Sequence, residues 1–202
     1  MPLTELMDNI SGWVSARPID ASVVITELCA DSRVVGPSSM FVAIKGDRYD
    51  GHRSLEEAVQ RGAVAVVVDK GAVEQEDLSN LDAVIIEVDN SRAALALLAS
   101  AFYRYPAKEM TLVGITGTNG KTTVSYLIEQ TLRELGVQTG VIGTIEYRYD
   151  LGDGRSIRNP APLTTPDPLT LQKMLREMAD SGVSHLIMEA SSHALQQHRL
   201  DS

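Results

Sequence analysis

The stretch Gly114-Ile115-Thr116-Gly117-Thr118-Asn119-Gly120-Lys121-Thr122-Thr123 constrains this chain more than any other. The apolar run Leu112–Thr116 reads as a strand. Helical spacing then resumes from about Thr122 to Leu135, and Gly136 stops it. A strand, a tight glycine turn and a helix N-terminus together aim backbone N–H groups at one spot, which suits a phosphate. Gly117 and Gly120 let the backbone approach an anion without a Cβ in the way. Lys121 adds a full positive charge for the β/γ oxygens, and the Thr122 hydroxyl is placed to ligate Mg²⁺. The common phosphate-loop pattern has glycine where Ile115 stands, so this loop is a shorter variant closed by Gly117. The core Gly-x-x-Gly-Lys-Ser/Thr arises by chance in roughly one chain of this length in a hundred, and the flanking strand and helix make chance rarer still.

A second feature belongs with the loop. His185-Leu186-Ile187-Met188-Glu189 is an apolar strand ending on a carboxylate, the usual position for a group that completes a Mg²⁺ site directly or through water. Val141–Gly143 reads as the next strand of a βαβ unit. Glu146–Ile157 reads as a hairpin around Asp150-Leu151-Gly152-Asp153-Gly154, and Pro168 opens a helix to about Ala179. The expected fold is therefore α/β, with the loop in a mostly parallel, P-loop-type second domain. Tyr105-Pro106-Ala107-Lys108 marks the boundary, which gives domains 1–106 and 107–202.

The first domain also alternates short strands and helices. Strands are expected at Val23–Ile25, Met40–Ile44, Ala63–Val68 and Val84–Val88. Ser54 and Glu57 form a capping-box pair for a helix to Arg61, and Asn90 or Ser91 caps another to about Tyr103. Of the 18 basic and 27 acidic residues, 9 and 16 lie in 1–106, so most of the net charge of −9 sits away from the loop. An acidic chain with one Trp, six Tyr and two Phe lacks the basic stripe and stacking platform of a nucleic-acid binder. Cys29 is the only cysteine, which excludes an intrachain disulfide and fits a reducing compartment. The N-terminus has no secretory pattern and no apolar run reaches membrane-spanning length, so a cytoplasmic setting is expected.

Gly117–Thr123 resembles the ATP loop of the Mur ligases and their folylpolyglutamate synthase relatives. Leu163-Thr164-Thr165-Pro166-Asp167 and Glu189-Ala190-Ser191-Ser192-His193-Ala194-Leu195 are similar to motifs of the Mur ligase branch that adds a third peptide residue. Asp31-Ser32-Arg33, Met40-Phe41-Val42-Ala43 and Gly46-x-x-x-Asp50-Gly51 resemble the uridine-binding first domain of that branch. The resemblance runs end to end. It implies a small UDP-sugar-binding domain followed by the first part of an ATPase domain. It further implies that Ser32 and the turn Asp47-Arg48-Tyr49 contact the UDP end, and that Thr164, Thr165, Ser191, Gln197 and Arg199 hold the muramoyl dipeptide. Two adjacent hydroxyls and a guanidinium suit an anionic diphospho-sugar. His193 lies in a family motif and is expected to be structural or orienting, whereas His52 and His198 are expected to be ordinary polar positions.

The implied reaction is ATP-dependent amide formation through an acyl phosphate, with ATP and Mg²⁺ as cofactors and Lys121 and Glu189 as catalytic residues. Gly117, Thr118, Asn119, Gly120, Lys121, Thr122 and Thr123 would cradle the nucleotide, with Thr122 and Glu189 on the metal. The partners would be UDP-N-acetylmuramoyl-dipeptide and an amino acid, with diaminopimelate and lysine both open, on a monomeric protein that binds neither nucleic acid nor membrane. Family members continue well past 202 residues, so this stretch is expected not to ligate alone, with an uncovered sheet edge in its second half. Two other readings remain: a UDP-sugar-binding module without catalysis, and another ligase of the folylpolyglutamate type. A plain P-loop NTPase is disfavoured because the chain has no Asn-Lys-x-Asp base-reading motif.

Overall fold

The computed structural model describes residues 1–8, 10–15, 18–46, 49–151, 153 and 155–201. The chain divides into two compact units, Met1–Phe102 and Tyr103–Ser202. In the first, β1 (Val14–Ser15), β2 (Glu27–Cys29), β3 (Ser39–Val42), β4 (Ala63–Asp69) and β5 (Val84–Val88) form a sheet of order β1-β5-β4-β3-β2. The pairings β2–β3, β3–β4 and β4–β5 are parallel, and β1 closes the edge antiparallel. The helices are α1 (Leu3–Met7), α2 (Leu55–Gln60), α3 (Gln75–Ser79) and α4 (Ser91–Phe102). A parallel sheet covered by helices buries both faces of its central strands, and Ala65, Val66, Val67 and Val68 of β4 are fully buried.

Two local expectations in this unit change. Val23–Ile25 is not a sheet strand: it pairs with the N-terminus, where Leu3 N–H donates to Val23 O and Ile25 N–H to Met1 O. The sheet strand instead starts at Glu27. Nor is there a capping box at Ser54. A 3₁₀ turn, Gly51–Ser54, is capped by the Asp50 carboxylate and runs straight into α2, leaving no free helix start for Ser54 to cap. Ser54 Oγ sits 2.7 Å from Tyr49 OH, and Glu57 accepts from Ser32 Oγ at 2.8 Å. Asn90 does cap α4, accepting from the N–H groups of Arg92 and Ala93.

His52 is not an ordinary polar position, because it is buried. Its Nε2 accepts from the Asp69 N–H at 3.1 Å, so Nδ1 carries the proton and donates to Asp50 at 2.7 Å. Asp69 in turn takes the Ser91 N–H and hydroxyl, which ties the end of β4 to the start of α4.

In the second unit, β6 (Thr111–Ile115), β7 (Thr139–Ile142), β8 (Glu146–Asp150), β9 (Ser156–Pro160) and β10 (His185–Glu189) are ordered β6-β10-β7-β8-β9. Strands β6, β10 and β7 are parallel, and the β8–β9 hairpin adds on antiparallel. Helices α5 (Lys121–Glu134), α6 (Pro168–Asp180) and α7 (Ser192–Gln196) complete it. Asp167 caps α6 through the Thr170 N–H with Pro168 in the first turn, and Leu171, Leu175 and Met178 pack with Ile142, Tyr147 and Leu186. Strand β6 lies at the sheet edge, and its Leu112 is exposed.

Helix α5 is held differently. Its buried residues are Ser125 and Glu129, while Leu127 and Leu135 are exposed. Glu129 pairs with Arg148 of β8, Nε donating at 3.0 Å, and Arg148 also lies 4.2 Å from the Tyr126 ring. Burial opposes the Arg148 charge, but the Glu129 carboxylate outweighs it and the guanidinium pKa is raised.

Breaking a buried pair costs about 3–5 kcal/mol, and without Arg148 the buried Glu129 carboxylate keeps the longer contact to the half-exposed Arg133 at 3.8 Å. Arg148→Met is therefore expected to lower the denaturation midpoint sharply, and Glu129→Leu combined with it to recover much of the loss. Equal losses in the single and double variants would contradict the pairing. In the first unit Cys29 is buried, and burial, aided by the Glu27 and Asp31 charges, pushes its thiol up to about 11. It should resist thiol reagents at pH 8 in the native protein and react once denatured.

Candidate nucleotide and substrate site

The carboxyl ends of β6, β10 and β7 deliver three groups to one place. Beyond β6 the turn 116–120 is exposed, with Gly120 at φ +78°, a conformation glycine adopts without strain. Lys121 folds back over this turn, and its Nζ donates to Gly117 O at 2.7 Å. At the end of β10 the Glu189 side chain is buried. Its Oε2 accepts from Thr122 Oγ1 at 3.1 Å and from Thr144 Oγ1 at 2.9 Å. Ser125 Oγ and the Thr144 N–H stand farther off, at 3.5 and 3.4 Å from Oε1.

The residues expected to hold the dipeptide are contiguous with this carboxylate. Thr164 Oγ1 lies 3.2 Å from Thr144 Oγ1. Thr165 is buried, with its hydroxyl donating to Glu189 O and accepting from the Ser191 N–H. Arg199 donates to Thr165 O at 2.8 Å and clasps Gln197 Oε1 through Nε and Nη2. Ser191 Oγ caps α7 through the Ala194 N–H. Thr164, Thr165, Ser191, Gln197 and Arg199 are thereby brought together around Glu189. Thr118, Asn119 and Thr123 are exposed around the loop. His193 is exposed on α7, and His198 pairs with Asp201.

Ser32 lies in a separate cleft within the first unit, of about 710 Å³, lined by Asp31, Ser32, Arg33, Phe41, Tyr49, Ser54 and Glu57. Arg33 wraps the Asp31 carboxylate, and its hydrogen bonds hold that carboxyl down at about 2. Asp47 and Arg48, expected at the UDP end, lie outside the described residues.

Gly143 and Thr144 were not singled out by sequence reasoning. Both lie just past the carboxyl end of β7, where parallel sheets gather ligand groups, but their residue types do not mark them until β7 is known to lie beside β10. A Cβ on Gly143 would lie 2.5 Å from Glu189 Oε1. Glu57, which the capping-box pattern assigns to the start of α2, is instead the acceptor for the Ser32 hydroxyl inside the cleft.

This phosphate-type loop on parallel strands, preceded by an α/β unit with its own cleft, defines a class, and the chain belongs to the Mur ligase family. The family's catalytic-domain model matches residues 24–103 and its middle-domain model matches residues 115–202. The chain is 46% identical over 200 residues to the UDP-N-acetylmuramoyl-L-alanyl-D-glutamate–2,6-diaminopimelate ligase of Listeria innocua, covering 99% of this chain and 38% of that protein. It is 41% identical over 203 residues to the enzyme of the same name from Caldanaerobacter subterraneus, covering 100% and 39%. The chain thus spans well under half the length of these curated relatives. Among solved structures, a ligase of that name superposes with a TM-score of 0.70 at 24% identity, covering 100% of this chain and 38% of that one. MurF from Acinetobacter baumannii gives 0.61 at 20% identity, covering 95% and 36%, a likeness of fold. Among the described residues no helix is long and apolar enough to cross a membrane.

Gly143→Ala is expected to cost about 1–3 kcal/mol, because the Glu189 carboxylate must leave its hydroxyl partners. Urea denaturation reads this directly, and an unchanged midpoint would contradict the close approach.

Proposed function

We propose that this chain provides the UDP-sugar-binding and ATP-binding portions of a ligase that adds the third amino acid to UDP-N-acetylmuramoyl-L-alanyl-D-glutamate. The names of relatives 41–46% identical over the whole chain favour diaminopimelate as that residue. The observation that carries the reading is the 3.1 Å contact between the Thr122 hydroxyl, at the start of α5, and the Glu189 carboxylate, at the end of β10, beside an exposed glycine turn.

The donor set fits Mg²⁺. A hydroxyl and a carboxylate are hard oxygen ligands, and Mg²⁺ is commonly held by one or two carboxylates with phosphates and water supplying the rest. Among the described residues no cluster of three or more His, Cys, Asp or Glu is arranged to cage a metal without a substrate. When bound, Mg²⁺·ATP supplies the phosphoryl group that activates the D-glutamate carboxylate for attack by the incoming amine. The chain's own residues bind and orient. Lys121 leaves Gly117 O for the phosphates, and the backbone N–H groups of residues 117–123 cradle them. Arg199, Thr164, Ser191 and Gln197 hold the diphospho-sugar and peptide, while Thr165, its hydroxyl already committed, shapes the floor. Ser32, with its proton on Glu57, offers lone pairs to the uridine end in the first cleft. The single buried thiol fits a cytoplasmic setting.

Lys121→Ala should weaken ATP binding roughly 10- to 100-fold, the worth of a charge-assisted hydrogen bond to phosphate. Binding of UDP-N-acetylmuramoyl-dipeptide without nucleotide should persist. Titration calorimetry with each ligand checks both. Unchanged ATP affinity would overturn the loop assignment. A parent chain that binds the UDP-sugar but no ATP would favour the non-catalytic binding module.

A further inference from the structure

Thr144 stands between the two halves of the site. Its Oγ1 is 2.9 Å from Glu189 Oε2 and 3.2 Å from Thr164 Oγ1. A hydroxyl has one proton and two lone pairs, whereas an ionised carboxylate only accepts. In the observed arrangement the Thr144 proton therefore goes to Glu189, and the contact with Thr164 is made by the Thr164 proton pointing back at Thr144. Both protons run inward along the chain Thr164, Thr144, Glu189. Thr164 then has none to offer outward.

We propose that Thr144 is a positioning residue that couples cation binding at Glu189 to the grip of Thr164 on an anionic substrate oxygen; this rests on the nucleotide and substrate reading above. Were a cation held at Glu189, the Thr144 proton would be repelled from that carboxylate. That proton turns about the Cβ–Oγ bond to Thr164 Oγ1, the other side-chain partner of Thr144 Oγ1 among the described residues. Thr164 becomes an acceptor from Thr144, and its own proton is released to donate to a phosphate or carboxylate oxygen. No bond forms or breaks; two hydroxyl protons reorient. Because linkage is reciprocal, substrate held by Thr164 must strengthen cation binding by the same factor. Exposure fits this task, since Thr144 is exposed while Glu189 behind it is buried.

The test uses the full 202-residue chain. The affinity for UDP-N-acetylmuramoyl-dipeptide is measured by calorimetry with ATP plus Mg²⁺ and with ATP plus EDTA, in the parent and in Thr144→Ser, Thr144→Val and Thr144→Ala. The parent should bind about fivefold more tightly with Mg²⁺, the worth of one hydrogen bond. Thr144→Ser keeps the hydroxyl and should keep the ratio. Thr144→Val and Thr144→Ala should bring it close to one, with the fold checked by circular dichroism, so that either variant serves if the other fails to fold. A merely structural residue would change both affinities and leave the ratio intact. Retention of the ratio in the hydroxyl-free variants, or a parent ratio of one with both ligands bound, overturns the coupling alone. A parent that binds neither ligand overturns the nucleotide reading and the coupling together.

Discussion

A buried carboxylate at the end of a strand governs the second unit. Glu189 cannot be enclosed without hydrogen-bond donors, because a desolvated charge left unpaired costs several kcal/mol. Its donors come from different elements: Thr122 opens α5, and Thr144 follows β7. Satisfying this one group therefore fixes where the helix starts and where β7 must end. It also favours a residue without a Cβ before Thr144, since a side chain at Gly143 would push the Glu189 carboxylate off its donors. Placing β10 between β6 and β7 brings these ends together, the arrangement in which open α/β sheets receive ligands.

The two units reach order by different routes. The first closes an apolar core on both faces of β4 and uses buried polar links, His52 with Asp50 and Asp69 with Ser91, to fix how strands meet helices. The second has a comparable core under α6. Its loop helix α5 contributes little to an apolar core and is tied down instead by Glu129 with Arg148 at mid-helix and by Thr122 with Glu189 at its start. Polar contacts are directional, whereas apolar packing tolerates sliding. Directional contacts suit a helix whose first turn is proposed to meet a phosphate.

Much of this was legible in the sequence, and for identifiable reasons. Strands β5 and β10 match their expected residues because each is a short apolar run bounded by turn or charged residues. Helices α4, α5 and α6 followed from cap residues and spacing. The segment around Val23–Ile25 misled because β-branched residues state a preference for extended backbone without saying which partner they pair with, and here the partner is the chain's own N-terminus. The Ser54–Glu57 pair misled because a cap signature presumes a free helix start, which the preceding 3₁₀ turn removes. In the site, the loop and Glu189 stood out by residue type. Thr144 did not, since a lone threonine after a strand carries no signal until β7 is known to lie beside β10. The burial of His52 was hidden likewise, its partners Asp50 and Asp69 being joined only by the folded sheet.

The proposed function requires Glu189 and the loop to hold a magnesium nucleotide together. The direct measurement is calorimetric titration of ATP, with and without Mg²⁺, into the parent chain and Glu189→Gln, which keeps the shape and removes the charge. Mg²⁺ should strengthen ATP binding to the parent and have little effect on the variant, with the Mg²⁺-free affinities alike. Equal Mg²⁺ dependence in the two proteins would contradict that requirement.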